Sequence, residues 1–218
     1  MSDARYDGIA EWYDATCAQS PFATGLALRL LGEGAGRLLD VGCGTGAHTA
    51  VFSDHGWDTT GVDLSTDQLR LARERGVEVL EADATALPFD DATFDAVISM
   101  WTHTDIDDFG AALGEIARVL RPGGTFVYVG GHPCFVGPHA VFAGAQGVPE
   151  LHGGYRHGGR YSIAPGVVPD GLRAKVGAVH RPLGELVQSF LDAGFRLERF
   201  EEASADEYPF VVALRWRR

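Results

Sequence analysis

The sequence predicts an α/β fold built on a parallel sheet, and three observations predict it. Segments of about 15 residues alternate between short apolar runs and helix-spaced patterns along most of the 218 residues. The strand-like runs are apolar with little alternation, as strands covered on both faces are. The first of them runs straight into a glycine cluster that opens a helix. With 45% hydrophobic and 22% charged residues, the chain can bury one sizeable core, which excludes disordered, collagen-like and disulfide-scaffold classes.

Residues 8–31 place Ile9, Trp12, Tyr13, Phe22, Leu26 and Leu30 at helical spacing, and Pro21 divides them into two helices. Arg37–Val41 reads as a short buried strand ending in Gly42-Cys-Gly-Thr-Gly46, and a helix from Ala47 to His55 follows, closed by Gly56. Trp57–Asp63 is the second strand, and Ser65 caps a helix through Arg75 that Gly76 ends. Val77–Glu81 and Phe94–Met100 are strands three and four. Residues 107–120 set Phe109, Leu113, Ile116, Ala117 and Leu120 on one helix face, and Arg121-Pro-Gly-Gly124 stops that helix before the fifth strand, Thr125–Gly130. A helix over 183–193, closed by Gly194, leads to Phe195–Phe200 and Phe210–Trp216, an antiparallel hairpin expected at the sheet edge.

Between Gly131 and Pro182 the periodicity fails, and Gly, Pro and His dominate. An irregular stretch of that length in a compact domain is functional or mobile, and here it predicts a lid. The expected organisation is one domain, with a helical cap over 1–34, a ligand-binding core over 35–130, a lid over 131–181 and a C-terminal helix with two strands over 182–218.

Thirty acidic residues stand against 18 basic ones, a formal charge of −12 that repels phosphate backbones and argues against nucleic-acid partners. The three cysteines, Cys17, Cys43 and Cys134, make no disulfide framework. No run approaches the roughly 18 apolar residues that cross a bilayer, and the first residues lack the pattern of a secretory signal, so a cytoplasmic protein without membrane contact is expected.

The glycine loop carries the first chemical signal. Gly42, Gly44 and Gly46 remove side chains where a ligand would lie against the backbone. Dinucleotide binding expects Gly-x-Gly-x-x-Gly, whereas this loop reads Gly-x-Gly-x-Gly. Asp40 is ill placed beside a pyrophosphate and suits the amino group of a zwitterionic ligand. Asp63 ends the second strand, where a carboxylate accepts both hydroxyls of a ribose; the alternative is a helix-start Asp held by backbone N–H groups, a service Ser65 already offers. Asp83 follows the third strand on the same carboxyl edge and suits an adenine amino group, with the Ala84 N–H beside it.

Together these blocks resemble the Rossmann-like S-adenosylmethionine-dependent methyltransferases, in their small-molecule branch. The matching residues are Leu38–Gly46 (LLDVGCGTG), Gly61–Ser65 (GVDLS), Glu81–Ala84 (EADA), Leu87–Asp90 (LPFD), Phe94–Val97 (FDAV), Glu115–Gly124 (EIARVLRPGG) and Phe190–Phe195 (FLDAGF). They stand in the family's order, most of them across roughly residues 35–130. The resemblance implies a three-layer, seven-stranded, mostly parallel sheet whose last strand is antiparallel. It implies S-adenosylmethionine as cofactor and S-adenosylhomocysteine as product. It carries Gly42, Gly44 and Gly46 to the methionine and adenosine backbone contacts, Asp63 to the ribose, and Asp83 with Ala84 to the adenine, with Leu64 also among the cofactor-binding residues. Met100 and Trp101 fall on the segment lining the sulfonium end, and Tyr13 on the cap above it.

An O–H or acidic C–H acceptor must lose its proton, and His is the usual agent near neutral pH. His103 follows strand four, His132 follows strand five and His180 precedes the penultimate helix, so these three are the candidate bases or orienting groups. A carboxylate or enolate acceptor would need none. The lid histidines lack metal-ligand spacing, so no metal is expected. Tyr155 and Tyr161 give the lid aromatic character, and Arg156, Arg160 and Arg173 offer forks for an anionic group or act as solvated charges. The expected function is methyl transfer to a small molecule, oxygen ahead of nitrogen or carbon. The alternatives are a non-catalytic cofactor-binding regulator and, less favoured by the glycine spacing and the absence of a Tyr-x-x-x-Lys pair, a nicotinamide-dependent oxidoreductase.

Overall fold

The computed structural model describes residues 4–142, 148–204 and 207–218. Seven strands form one sheet: β1 (Arg37–Val41), β2 (Asp58–Asp63), β3 (Val79–Glu81), β4 (Phe94–Met100), β5 (Leu120–Gly131), β10 (Arg196–Ala203) and β11 (Val211–Arg217). Their order is β10-β11-β5-β4-β1-β2-β3. β1 pairs parallel with β2 and β4, β4 with β5 and β2 with β3, whereas β11 runs antiparallel to both β5 and β10.

Alternation along the central strands splits the core over the two faces of this sheet. Val97, Phe126, Tyr128, Val212, Leu214 and Trp216 point to the side covered by α5 (Phe109–Val119) and α7 (Leu183–Asp192), where Phe190 stacks on Trp216 at 4.7 Å. Ile98, Met100, Val127, Val129, Val211 and Ala213 point to the other side, against Ala23, Leu26, Ala27 and Leu30 of α2 (Pro21–Leu31). Ser20 caps α2 by accepting from the Ala23 N–H, and Pro21 occupies its first turn. α1 is Ala10–Thr16, α3 is Ala47–Asp54 between β1 and β2, and α4 is Thr66–Glu74, capped by Ser65 accepting from the Gln68 N–H.

One expectation holds and one changes. The C-terminal hairpin lies at a sheet edge as expected, with β11 between β5 and the largely exposed, Glu- and Arg-rich edge strand β10. The physical reason is burial, since β11 is the apolar member of the pair. The stretch after β5 is less irregular than its composition suggests. It folds into two short antiparallel ribbons, β6 (Ala140–Phe142) with β7 (Pro149–Leu151) and β8 (Gly159–Tyr161) with β9 (Ala178–His180), plus α6 (Leu172–Val176). Three-residue strands are too short to print a period on a sequence. Ion pairs from Arg160 to Asp107 and from Arg173 to Asp105 tie this segment to the loop after β4.

Candidate active site

Parallel strands that end on one edge leave a crevice there where the strand order reverses. In this sheet that edge carries the ends of β1, β2, β3 and β4, and a cavity of about 440 Å³ opens over it. Its floor is the loop after β1. Gly42 takes φ +77°, and a side chain there would run into Thr102. Gly44 also adopts positive φ, and its backbone N–H donates to Asp63 Oδ2 at 2.9 Å. Ten of the eleven residues expected around the cofactor line this cavity: Tyr13, Asp40, Gly42, Gly44, Asp63, Leu64, Asp83, Ala84, Met100 and Trp101. Gly46 does not. Its φ is +73° and a Cβ would lie 2.9 Å from that of Ala72, so it serves the close approach of α3 to α4.

The carboxylates are positioned by their own hydrogen bonds. Asp40 is buried and accepts from Thr49 Oγ1 at 2.6 Å. Burial, opposed by that bond and reinforced by the nearby Asp63 charge, pushes it up to about 7. Asp63 accepts from the Gly44 N–H through one oxygen and from the Ser65 N–H through the other, both at 2.9 Å. The backbone-held arrangement therefore exists alongside its exposure on the cavity wall; each carboxylate oxygen retains a second acceptor site. Burial raises Asp63, and the backbone N–H groups of Ser65, Gly44 and Leu64 offset part of that. Asp83 Oδ1 accepts from the Thr85 N–H and hydroxyl. Trp101 closes the β4 end in a left-handed conformation, φ +64°, which is costly for a bulky residue and is characteristic of functional sites.

The three candidate histidines lie off the cavity wall. His103 is buried in the core, its Nδ1 bonded to the Tyr128 hydroxyl, and burial lowers it to about 3. Nδ1 of His132 accepts from the Cys134 N–H, so Nε2 is the donor to Glu202 Oε1 at 2.8 Å, and both ring nitrogens are used. Nε2 of His180 bonds the Tyr155 carbonyl at 2.7 Å, and its ring packs on His139. Each ring is turned into packing: His103 against Tyr128, His132 against Phe135, and His180 against His139 and Tyr155. Tyr155 and Tyr161 are likewise absent from the wall, and among the described residues of the insertion after β5 only Leu172 and Arg173 reach it.

Sequence reasoning missed His48, Gln68 and Arg5, all on the wall. The Thr24 hydroxyl gives its single proton to the Ser20 carbonyl at 2.9 Å, so His48 Nδ1 donates to Thr24 Oγ1 at 2.7 Å and Nε2 holds the lone pair. Burial lowers His48 to about 4, which keeps it a hydrogen-bond acceptor at neutral pH. The Gln68 amide nitrogen is buried without a partner. A first-turn position in the helix opened by the glycine loop was the available signal for His48; Arg5 gave none, because its partners lie about a hundred residues away.

The cavity fits S-adenosylmethionine. A backbone floor that no side chain fits, carboxylates at the ends of β1, β2 and β3, and an unpartnered buried amide together match an adenosine joined to a zwitterionic amino acid. No group of three or more potential metal ligands occurs among the described residues. No described helix is long and apolar enough to cross a membrane.

Comparison with known proteins agrees with this geometry. A methyltransferase-domain family model matches residues 39–128. The chain is 38% identical over 130 residues to a demethylmenaquinone methyltransferase from Mycolicibacterium gilvum, covering 56% of each protein. It is 39% identical over 103 residues to a fatty-acid O-methyltransferase from Mycolicibacterium smegmatis, covering 44% of this chain and 38% of the relative. The matches thus span about half the length of the curated relatives or less. A crystal structure of an S-adenosylmethionine-dependent methyltransferase from Mesorhizobium loti superposes with a TM-score of 0.75 at 25% identity, over 97% of this chain and 99% of that one.

Proposed function

We propose that this chain, whose residues 39–128 match a methyltransferase-domain family model and whose fold is that of a solved S-adenosylmethionine-dependent methyltransferase, transfers a methyl group from S-adenosylmethionine to an oxygen of a small molecule. One observation carries the reading: a single cavity gathers the glycine floor, Asp40, Asp63 and Asp83 together with Met100 and Trp101. When bound, S-adenosylmethionine supplies an electrophilic methyl group. The chain's own residues do the rest. Asp63 accepts from the ribose hydroxyls, Asp83 and the Ala84 N–H address the adenine, and Asp40 takes up the amino group. The cap residues Tyr6 and Tyr13 and the strained Trp101 enclose the transfer region, which excludes water and fixes the approach of the acceptor.

His48 replaces the three expected histidines as the proton acceptor. Its Nε2 lone pair is set by the Thr24 contact. A hydroxyl becomes strongly acidic as its oxygen takes on a third bond, so an imidazole of low basicity suffices. Relatives named for demethylmenaquinone and for fatty acids support a small acceptor.

Calorimetric titration with S-adenosylmethionine, S-adenosylhomocysteine and NADH tests the cofactor. Binding of the first two, without NADH, is expected; binding of NADH alone would overturn the reading.

A further inference from the structure

The cavity wall carries basic groups beside its acidic ones. Besides Asp40, Asp63 and Asp83, the N-terminal segment, the loop after β4 and α6 contribute Arg5, Tyr6, Asp105, Leu172 and Arg173. There two guanidinium groups face one enclosed carboxylate. Asp105 pairs with Arg173 through Oδ1 at 2.9 Å, and Arg173 Nη2 donates to Thr104 Oγ1 at 2.8 Å. Arg5 Nη2 donates to the Asp105 backbone carbonyl at 2.7 Å and reaches Asp107 at 3.2 Å, but Asp107 is half-exposed at the rim and shared with Arg160. Arg5 Nη1 is buried with no hydrogen-bond partner. Burial holds the neighbouring phenols of Tyr6 and Tyr13 protonated, so neither meets Arg5 as a phenolate.

An enclosed guanidinium N–H is costly to leave unsatisfied, and in a cavity wall a ligand or an ordered water completes it. Arg forks match carboxylates in shape as well as charge. The open Nη1 edge of Arg5 matches one carboxylate; a phosphate would bring nearly two negative charges to a wall that already holds Asp63 and Asp105. We propose that the methyl acceptor is a small molecule bearing a carboxylate, which Arg5 binds through Nη1 with Arg173 beside it. The inference rests on the methyl-transfer reading of this cavity. The same fork chemistry would also suit the carboxylate of the cofactor's amino-acid end, and the test separates the two.

Protein saturated with S-adenosylhomocysteine is titrated calorimetrically with benzoate, 4-hydroxybenzoate and decanoate, each beside its primary amide. At least one acid is expected to bind tenfold or more tightly than its amide. Arg5→Gln should abolish that difference while changing S-adenosylhomocysteine affinity less than twofold, and Arg5→Lys should restore part of it. Acids binding no better than amides, or a difference that survives Arg5→Gln, would overturn the proposal. A tenfold loss of S-adenosylhomocysteine affinity in Arg5→Gln would also overturn it, by assigning Arg5 to the cofactor's own carboxylate. Wild-type protein that binds no S-adenosylhomocysteine would refute the methyl-transfer reading beneath it.

Discussion

Replacing Asp63 with Ala is expected to weaken S-adenosylhomocysteine binding by about 10- to 150-fold. The figure follows from what the carboxylate does at the end of β2. It lines the cavity, so its free acceptor sites are available to the ribose hydroxyls. Hydrogen bonds to a charged group contribute about 1.5–3 kcal/mol, and 1.4 kcal/mol is a factor of ten in affinity. The same carboxylate holds the Gly44 and Ser65 N–H groups at 2.9 Å each. Losing both bonds costs roughly 2 kcal/mol of stability, a fall in Tm of roughly 4–8 °C for a chain of this size. Asp63→Asn separates the two roles, because the amide keeps one acceptor for the loop yet carries no charge for the ribose. Isothermal calorimetry gives the affinities, and thermal unfolding without ligand gives the stability. Affinity within twofold of wild type in Asp63→Ala would refute the reasoning, whatever happened to Tm.

Three further outcomes are expected. Asp40, held near 7 in the folded protein against an ordinary value near 3.8, binds its proton more tightly folded than unfolded, so its contribution is fully present below about pH 4 and is lost as pH rises through 7. Thermal unfolding across pH 4–8 should show a shallower fall with rising pH in Asp40→Asn than in wild type, and parallel curves would contradict the assignment. His48→Ala should leave S-adenosylhomocysteine affinity within a few fold while slowing methyl transfer to a hydroxyl acceptor by roughly 10²-fold or more; an unchanged rate would remove His48 from the chemistry. Phe190→Ala removes a fully buried ring stacked on Trp216 and should cost about 3–5 kcal/mol, lowering Tm by roughly 6–20 °C, with cofactor affinity of the folded protein intact.

The parts of the site that could be read from the sequence are those coded locally. Asp40, Asp63 and Asp83 each end or follow a strand, and a parallel sheet brings such ends to one edge wherever the helices pack. The glycine loop is local in the same sense, although adjacency alone could not separate Gly42, which clears the cavity floor, from Gly46, which lets α3 meet α4. The three histidines stand off the cavity wall because position after a strand fixes where a backbone lies but not which way a side chain turns. His103 turns into the core towards Tyr128, and His132 towards Glu202, a residue 70 positions away. Arg5 and Arg173 meet across nearly the whole chain at Asp105, a contact with no periodic signature. The segment after β5 hid its ribbons for a simpler reason: its strands have three residues each.

A crystal structure with S-adenosylhomocysteine bound would test the central claim most directly. The account predicts the ribose hydroxyls within hydrogen-bond distance of Asp63, the adenine beside Asp83 and Ala84, and the thioether sulfur beside Trp101. A ligand bound elsewhere, or bound here with its ribose away from Asp63, would contradict it.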